Sequence, residues 1–199
     1  MSRKTYVGAL EAVLTPMGFA RRVKDYSPHE PEWTRMVGTI EDCVDLQRSM
    51  YRGSTCNLWT KDTALGALVR SAIPWEPYGG LWQTGYRIGD LLGGGVGDRW
   101  WKNDPNGPDE LAAAVRDHAE TYFARYRTIE DQAARYGRFG EGRRGPDDTI
   151  LLALTLYRMG EYEEALRAFE NRPRLTPEIW NRRLDSVQAW LQARRDEIR

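Results

Sequence analysis

The chain has 199 residues, of which 41% are hydrophobic and 11% aromatic, and its 29 basic residues balance 29 acidic ones. The balance also holds locally, with 18 of each sign up to Gly140 and 11 of each from Glu141 onward. This argues against affinity built on neutralising phosphates, which calls for a basic excess on some segment, and nucleic acid is not an expected partner. No run approaches the roughly 18 apolar residues that a membrane span needs, and the start at Met1-Ser2-Arg3-Lys4-Thr5 leads into an amphipathic stretch, so neither export signal nor anchor is expected. Cys43 and Cys56 are too few for a disulfide framework, and a reducing, cytoplasmic setting is the natural reading.

Val7, Leu10, Leu14 and Met17 recur at helical spacing behind Ser2 or Thr5 as a cap, with Pro16 and Gly18 as stops, and predict a first helix. From Phe19 to Lys61 the period changes to two. Strands are predicted near 19–26, 32–40, 43–51 and 54–61, separated by Ser27-Pro28-His29-Glu30-Pro31, by Glu41-Asp42 and by Arg52-Gly53. Such short connections imply antiparallel hairpins. A turn at Arg52-Gly53 sets Cys56 opposite Ser49, well away from Cys43, so no cross-strand disulfide is expected.

Thr63 to Val69 reads as a helical turn and Ile73 to Gly80 as a loop. A fifth strand is predicted over Leu81 to Leu92, where Trp82, Thr84, Tyr86 and Ile88 alternate with Gln83, Gly85, Arg87 and Gly89. Pro108 then opens a long helix whose stripe is Leu111, Val115, His118, Tyr122, Tyr126 and Ile129. Residues 138–146, rich in glycine and charge, read as the linker between a sheet-plus-helix domain (1–137) and a helical tail (147–199). In the tail, two helices meet at Met159-Gly160, and Trp180, Leu184, Val187 and Leu191 mark a third, with Glu163/Arg167 and Glu178/Arg182 spaced for i,i+4 pairs. The fold class is therefore α+β: an antiparallel sheet of about five strands packed by the first and the long helix, with a three-helix tail docked beside it.

The segment from Leu156 to Phe169 resembles one tetratricopeptide unit, with Gly160 at the turn and Tyr162, Ala165, Leu166 and Phe169 at packing positions. One unit does not make an array, and a plain helical hairpin is the preferred reading. A second resemblance covers about residues 10–137. The opening helix ending in Met17-Gly18-Phe19, the strand with Val44-Asp45-Leu46-Gln47-Arg48-Ser49, the element Tyr86-Arg87-Ile88-Gly89-Asp90-Leu91-Leu92 and Asp98-Arg99-Trp100-Trp101 before a long helix resemble the DUF4304 family. The resemblance implies a bacterial protein with a sheet and flanking helices, and supplies no catalytic residues.

Chemistry-bearing patterns are sparse. Gly93-Gly94-Gly95-Val96-Gly97 lacks a following Gly-Lys-Ser/Thr and reads as a turn rather than a phosphate cradle. His118, on an apolar stripe, reads as a core histidine, and His29 lies between prolines in a loop. Glu41, Asp42 and Asp45, with Glu30 or Glu32, would suit the divalent ion of a metal-dependent hydrolase or nuclease, but Asp45-Leu46-Gln47 lacks the lysine of an acid-x-Lys element. A small-ligand sensor would need a deep pocket at Trp59, Trp82 and Arg87. No catalytic residue, metal ligand or cofactor is assigned. What remains is a polar and aromatic surface: Gln47, Tyr51, Asn57 and Trp59 on one sheet face, joined by Gln83, Arg87 and Trp101. Completion of a core by the tryptophans competes with this reading. Residue types of this kind anchor protein interfaces. The expected function is a non-enzymatic bacterial interaction protein that binds a protein partner through the exposed sheet face or the helical tail, by analogy in defence or toxin neutralisation, with no membrane role and an open oligomeric state.

Overall fold

The computed structural model describes residues 5–24, 27–75, 84–93, 99–102, 104–137, 145–170 and 178–198. Five strands form one antiparallel sheet in sequential order: β1 (Ala20–Lys24), β2 (Ser27–Val37), β3 (Ile40–Ser49), β4 (Gly53–Asp62) and β5 (Thr84–Arg87). The described helices are α1 (Tyr6–Leu14), α2 (Thr63–Ala72), α3 (Ile88–Leu91), α4 (Gly107–Ala124), α5 (Ile129–Gly137), α6 (Pro146–Arg158), α7 (Tyr162–Arg167) and α8 (Ile179–Ile198). The α+β class and the C-terminal helices follow the sequence pattern. Among the described residues no helix is long and apolar enough to cross a membrane.

Contacts divide the chain into two compact units, Met1–Lys61 with Thr84–Arg125, and Asp62–Gln83 with Tyr126–Arg199. In the sheet unit, Thr5 caps α1 by accepting a bond from the Gly8 amide at 3.1 Å. The helix stops at Leu14, before Pro16, and Gly18 turns the chain at φ 85°. The registers Trp33↔Val44 and Leu58↔Tyr86 set one face of the sheet. Trp33, Val44, Leu46, Cys56 and Leu58 on that face are fully buried. Helix α4 covers it, with Tyr122 meeting Tyr86 at 5.9 Å between ring centroids and Phe123 meeting Phe19 at 5.8 Å. A clamp holds these layers together: Arg35 on β2 binds buried Asp42 at 2.9 Å, Glu120 of α4 at 2.5 Å and the Met17 carbonyl at 2.9 Å. The Glu120 bond raises the pKa of this guanidinium against the opposing effect of its burial.

Several expectations are corrected. Ser27 to Pro31 belongs to β2 instead of a loop, and the register to β3 begins only at Glu32↔Asp45. Pro28 and Pro31 therefore fall where that register asks for no amide donor. Helix α3 replaces the second half of the expected fifth strand, whose Leu81, Trp82 and Gln83 lie outside the described residues. The long helix ends at Ala124, and α5 restarts behind Thr128, whose hydroxyl takes the Asp131 amide at 3.1 Å. His118 is half-buried, so it is not a core histidine.

The helical unit is built around α6, whose residues Ile150 to Thr155 are all buried among α2, α5, α7 and α8. Gly160 (φ 84°) makes the α6–α7 turn. Asp62 caps α2 through the Ala64 and Leu65 amides at 2.9 and 3.2 Å, and also binds Arg158 of α6. A seam on α8 receives α2: Trp75 donates to Ser186 at 3.2 Å and Trp190 to Ser71 at 3.1 Å, with Arg182 and Arg194 stacked on the two indoles. Arg167 binds Glu164 in place of the expected Glu163, and Asn181, not Arg182, reaches Glu178. Helices α2 and α5 thus belong with the tail, whereas the sequence pattern grouped them with the sheet. Residues 138–144 of the expected linker lie outside the described residues.

Candidate functional site

Strand alternation sends Glu32, Glu41, Cys43, Asp45, Gln47, Asn57, Trp59, Lys61 and Arg87 to the face remote from α4, as the registers Glu32↔Asp45 and Asn57↔Arg87 require. Three of the expected binding residues meet there. Arg87 donates to the Gln47 side-chain carbonyl at 3.2 Å and to that of Asn57 at 3.4 Å. The Asn57 amide in turn donates to Gln47 at 3.4 Å and to Asp45 at 3.3 Å. The result is a cross-strand lattice of side chains over β3, β4 and β5, all of them half-buried.

Trp59 lies beside it, over its cross-strand partner Gly85. A Cβ at Gly85 would come within 2.1 Å of the indole, so only glycine admits the ring. The other two expected residues stand elsewhere. Tyr51 sits in the β3–β4 turn with 91% exposure and takes no part in the lattice.

Trp101 is buried on the α4 side, and the reason is a register effect. Where β5 leaves the edge of β4, the backbone of Trp101 takes its place and exchanges two bonds of 2.8 Å with Ser54. Paired residues share a face, so Trp101 follows Ser54 inward and its neighbour Trp100 turns to the remote face. There Trp100 lies under Arg87, whose guanidinium is 5.2 Å from the ring centroid, and Arg52 approaches the same ring at 6.0 Å. Trp100 is the residue that the sequence reading missed by one position. An isolated bridge leaves no alternating run from which to read its phase.

The Trp100 segment is anchored from behind. The Tyr6 hydroxyl lies 3.0 and 2.5 Å from the carbonyl oxygens of Trp101 and Lys102. Gly53, at φ 103°, would put a Cβ 2.0 Å from the Trp101 carbonyl oxygen, so glycine is required there by both conformation and space.

The other end of the face holds ion pairs. Arg22 binds Glu32, which is 3% exposed, and approaches Glu41 at 3.4 Å, while Lys61 reaches Glu41 at 3.7 Å. Cys43 lies buried on this same face, and burial pushes its thiol up to about 12; Cys56, on the α4 side, is raised well above the ordinary value for the same reason. Both cysteines are free.

The acidic trio of the hydrolase alternative is divided by the pleat. Asp42 points to the α4 side into the Arg35 clamp, whereas Glu41 and Asp45 point away. Among the described residues no group of three or more His, Cys, Asp or Glu is placed to hold a metal ion. A cavity of about 280 Å³ lies in the helical unit, lined by Gly160, Glu161, Tyr162, Glu164, Arg167 and Arg195. It shares no residue with the pocket a sensor was expected to form, and Trp82 of that set lies outside the described residues. Comparison with family models, with curated proteins and with solved structures finds no match.

Proposed function

We propose that this chain is a non-enzymatic interaction protein that binds another protein through the sheet face remote from α4, centred on Asn57, Arg87 and Trp100. One observation carries the reading: Arg87 is held by two amide side chains from neighbouring strands and stacked on an indole. Arginine and tryptophan are the residue types that most often dominate binding energy at interfaces, and a pre-organised side chain loses less entropy on contact. The resemblance of residues 10–137 to DUF4304 adds to the reading, since a member of that family would be a bacterial protein. A role in defence or toxin neutralisation is part of the proposal by analogy.

The test is affinity capture from the native host with the full chain and two variants. Trp100→Leu should lose the co-purifying protein, whereas Arg116→Gln, on the exposed side of α4, should retain it. Equal capture by all three would remove the remote face from the interaction.

A further inference from the structure

Asn106 is the one asparagine of the chain that is followed by glycine, a pair open to self-modification because a missing Cβ lets the glycine nitrogen reach the asparagine side chain. Its carboxamide is accessible: Asn106 is exposed, and although it stands at the N-cap of α4 its side chain makes no capping bond. Asp104 takes that role, its carboxylate accepting the Asn106 amide at 2.9 Å and the Gly107 amide at 2.7 Å. Gly107 itself is wedged. It is buried, and an added Cβ would collide with the Lys102 carbonyl oxygen and with the Tyr6 hydroxyl.

We infer that Asn106 is a site of spontaneous deamidation and isomerisation, held in check by Asp104 while the turn is closed. In the first step the Gly107 nitrogen bonds to Asn106 Cγ. The Cγ–N bond of the carboxamide breaks, and its nitrogen leaves as ammonia with the proton that Gly107 gives up. Water then opens the five-membered imide, adding its hydroxyl to either carbonyl carbon and its proton to the nitrogen. One opening leaves aspartate; the other leaves isoaspartate, whose main chain runs through Cγ. Water is the co-reactant consumed.

Two features of the closed turn oppose the first bond. The attacking nitrogen must lose its proton, and a carboxylate that accepts the Gly107 N–H disfavours that loss by its negative charge. Ring closure also requires the Gly107 nitrogen to eclipse Asn106 Cβ about the Cα–C bond, whereas Asn106 lies at ψ −23°, in the region from which α4 starts. Reaction therefore waits on local opening of the turn and the first residues of α4. The product is disruptive because isoaspartate lengthens the main chain by one carbon just before a residue without room to move. Gly107 then no longer fits against Lys102 and Tyr6, and the Tyr6 anchor of this segment loosens.

The test is incubation of the full chain at neutral pH, native and in urea, with peptide mapping by mass spectrometry for deamidation and an isoaspartyl methyltransferase assay for isoaspartate. Native wild type should convert at Asn106 at least about tenfold more slowly than the unfolded chain, and native Asp104→Ala at least about tenfold faster than native wild type. Asp104→Asn, which keeps a neutral acceptor, should fall between them and decides the matter if Asp104→Ala does not fold by circular dichroism. Asn106→Gln should show no conversion at this position. The purified isoaspartate form should melt about 3 °C or more below wild type, and Asn106→Asp, which changes charge and keeps the main chain, should melt closer to wild type.

Absence of isoaspartate at position 106 in the unfolded chain would overturn the site. Equal rates in native and unfolded chains, or folded Asp104 variants no faster than wild type, would overturn the gate. An isoaspartate form that melts with wild type would overturn the link to the Tyr6 anchor.

Discussion

The two faces of the sheet are made by the same strands, yet they use their residues in opposite ways. On the side of α4, Trp33, Val44, Leu46 and Leu58 are sealed from water, and the charge present, Asp42, is held by Arg35. On the remote side the same strands carry half-buried Trp59, and Gln47, Asn57 and Arg87, half-buried and bonded to one another. Stability and recognition thus reside on opposite faces. Apolar burial rewards the first face at roughly 25 cal/mol per Å², whereas hydrogen bonds between half-wet side chains add about 1 kcal/mol each at most, because water competes for them. Substitution should therefore cost folding on one side and binding on the other.

The largest effect is expected from Trp33→Ala, which empties the centre of the α4 side and should lower unfolding free energy by about 3–5 kcal/mol in urea titration. A loss under about 1 kcal/mol would break the contrast. Arg35→Met should come next, at about 3–4 kcal/mol, because it leaves the Asp42 carboxylate buried without its cation; Arg35→Met with Asp42→Leu should recover most of the loss. Tyr6→Phe removes the hydroxyl that anchors the Trp100 segment. It should cost about 1–2 kcal/mol and weaken partner binding as well, since this residue serves both faces through one backbone segment.

Cys43 gives a test in pH. Its folded-state pKa of about 12 lies above the ordinary value of 9.0. The unfolded thiol thus ionises first as pH rises, the folded state binds the extra proton, and stability falls between about pH 9 and 12 while staying unaffected by this group below that window. Cys43→Ser should flatten that decline, and at pH 8 neither thiol of the native protein should react with a maleimide within the time that the urea-unfolded chain reacts fully. The smallest effect is expected from Asn57→Ala, within about 1 kcal/mol of wild type in stability, with its consequence visible only as weaker binding of the partner.

Much of the fold was legible because alternation and helical spacing are local properties. Period-two runs located four strands, Gly18, Gly53 and Gly160 marked turns, and Leu184, Val187 and Leu191 marked the buried stripe of α8. The candidate site was legible in part for the same reason: Gln47 and Asn57 project together once the β3–β4 hairpin is drawn, and Arg87 joins them through the alternation of its own strand. Prolines misled at 27–31, where composition suggested a loop but the neighbouring strand does not demand the missing donors. Helical periodicity misled between Ala124 and Ile129, because the apolar stripe continues in phase across a break that the Thr128–Asp131 cap creates.

The class of fold, the order of the strands and the facing of residues within each strand are readable from the residues alone, since these follow from periods along a single segment. Long-range packing is what sets Trp100 and not Trp101 beside Arg87, turns Asp42 away from Glu41 and Asp45 into a clamp with α4, and gathers α2 and α5 around α6. Each of these depends on which distant segment supplies the partner for an unpaired backbone edge, a buried charge or an apolar stripe, and that choice is made by the packing of the whole chain.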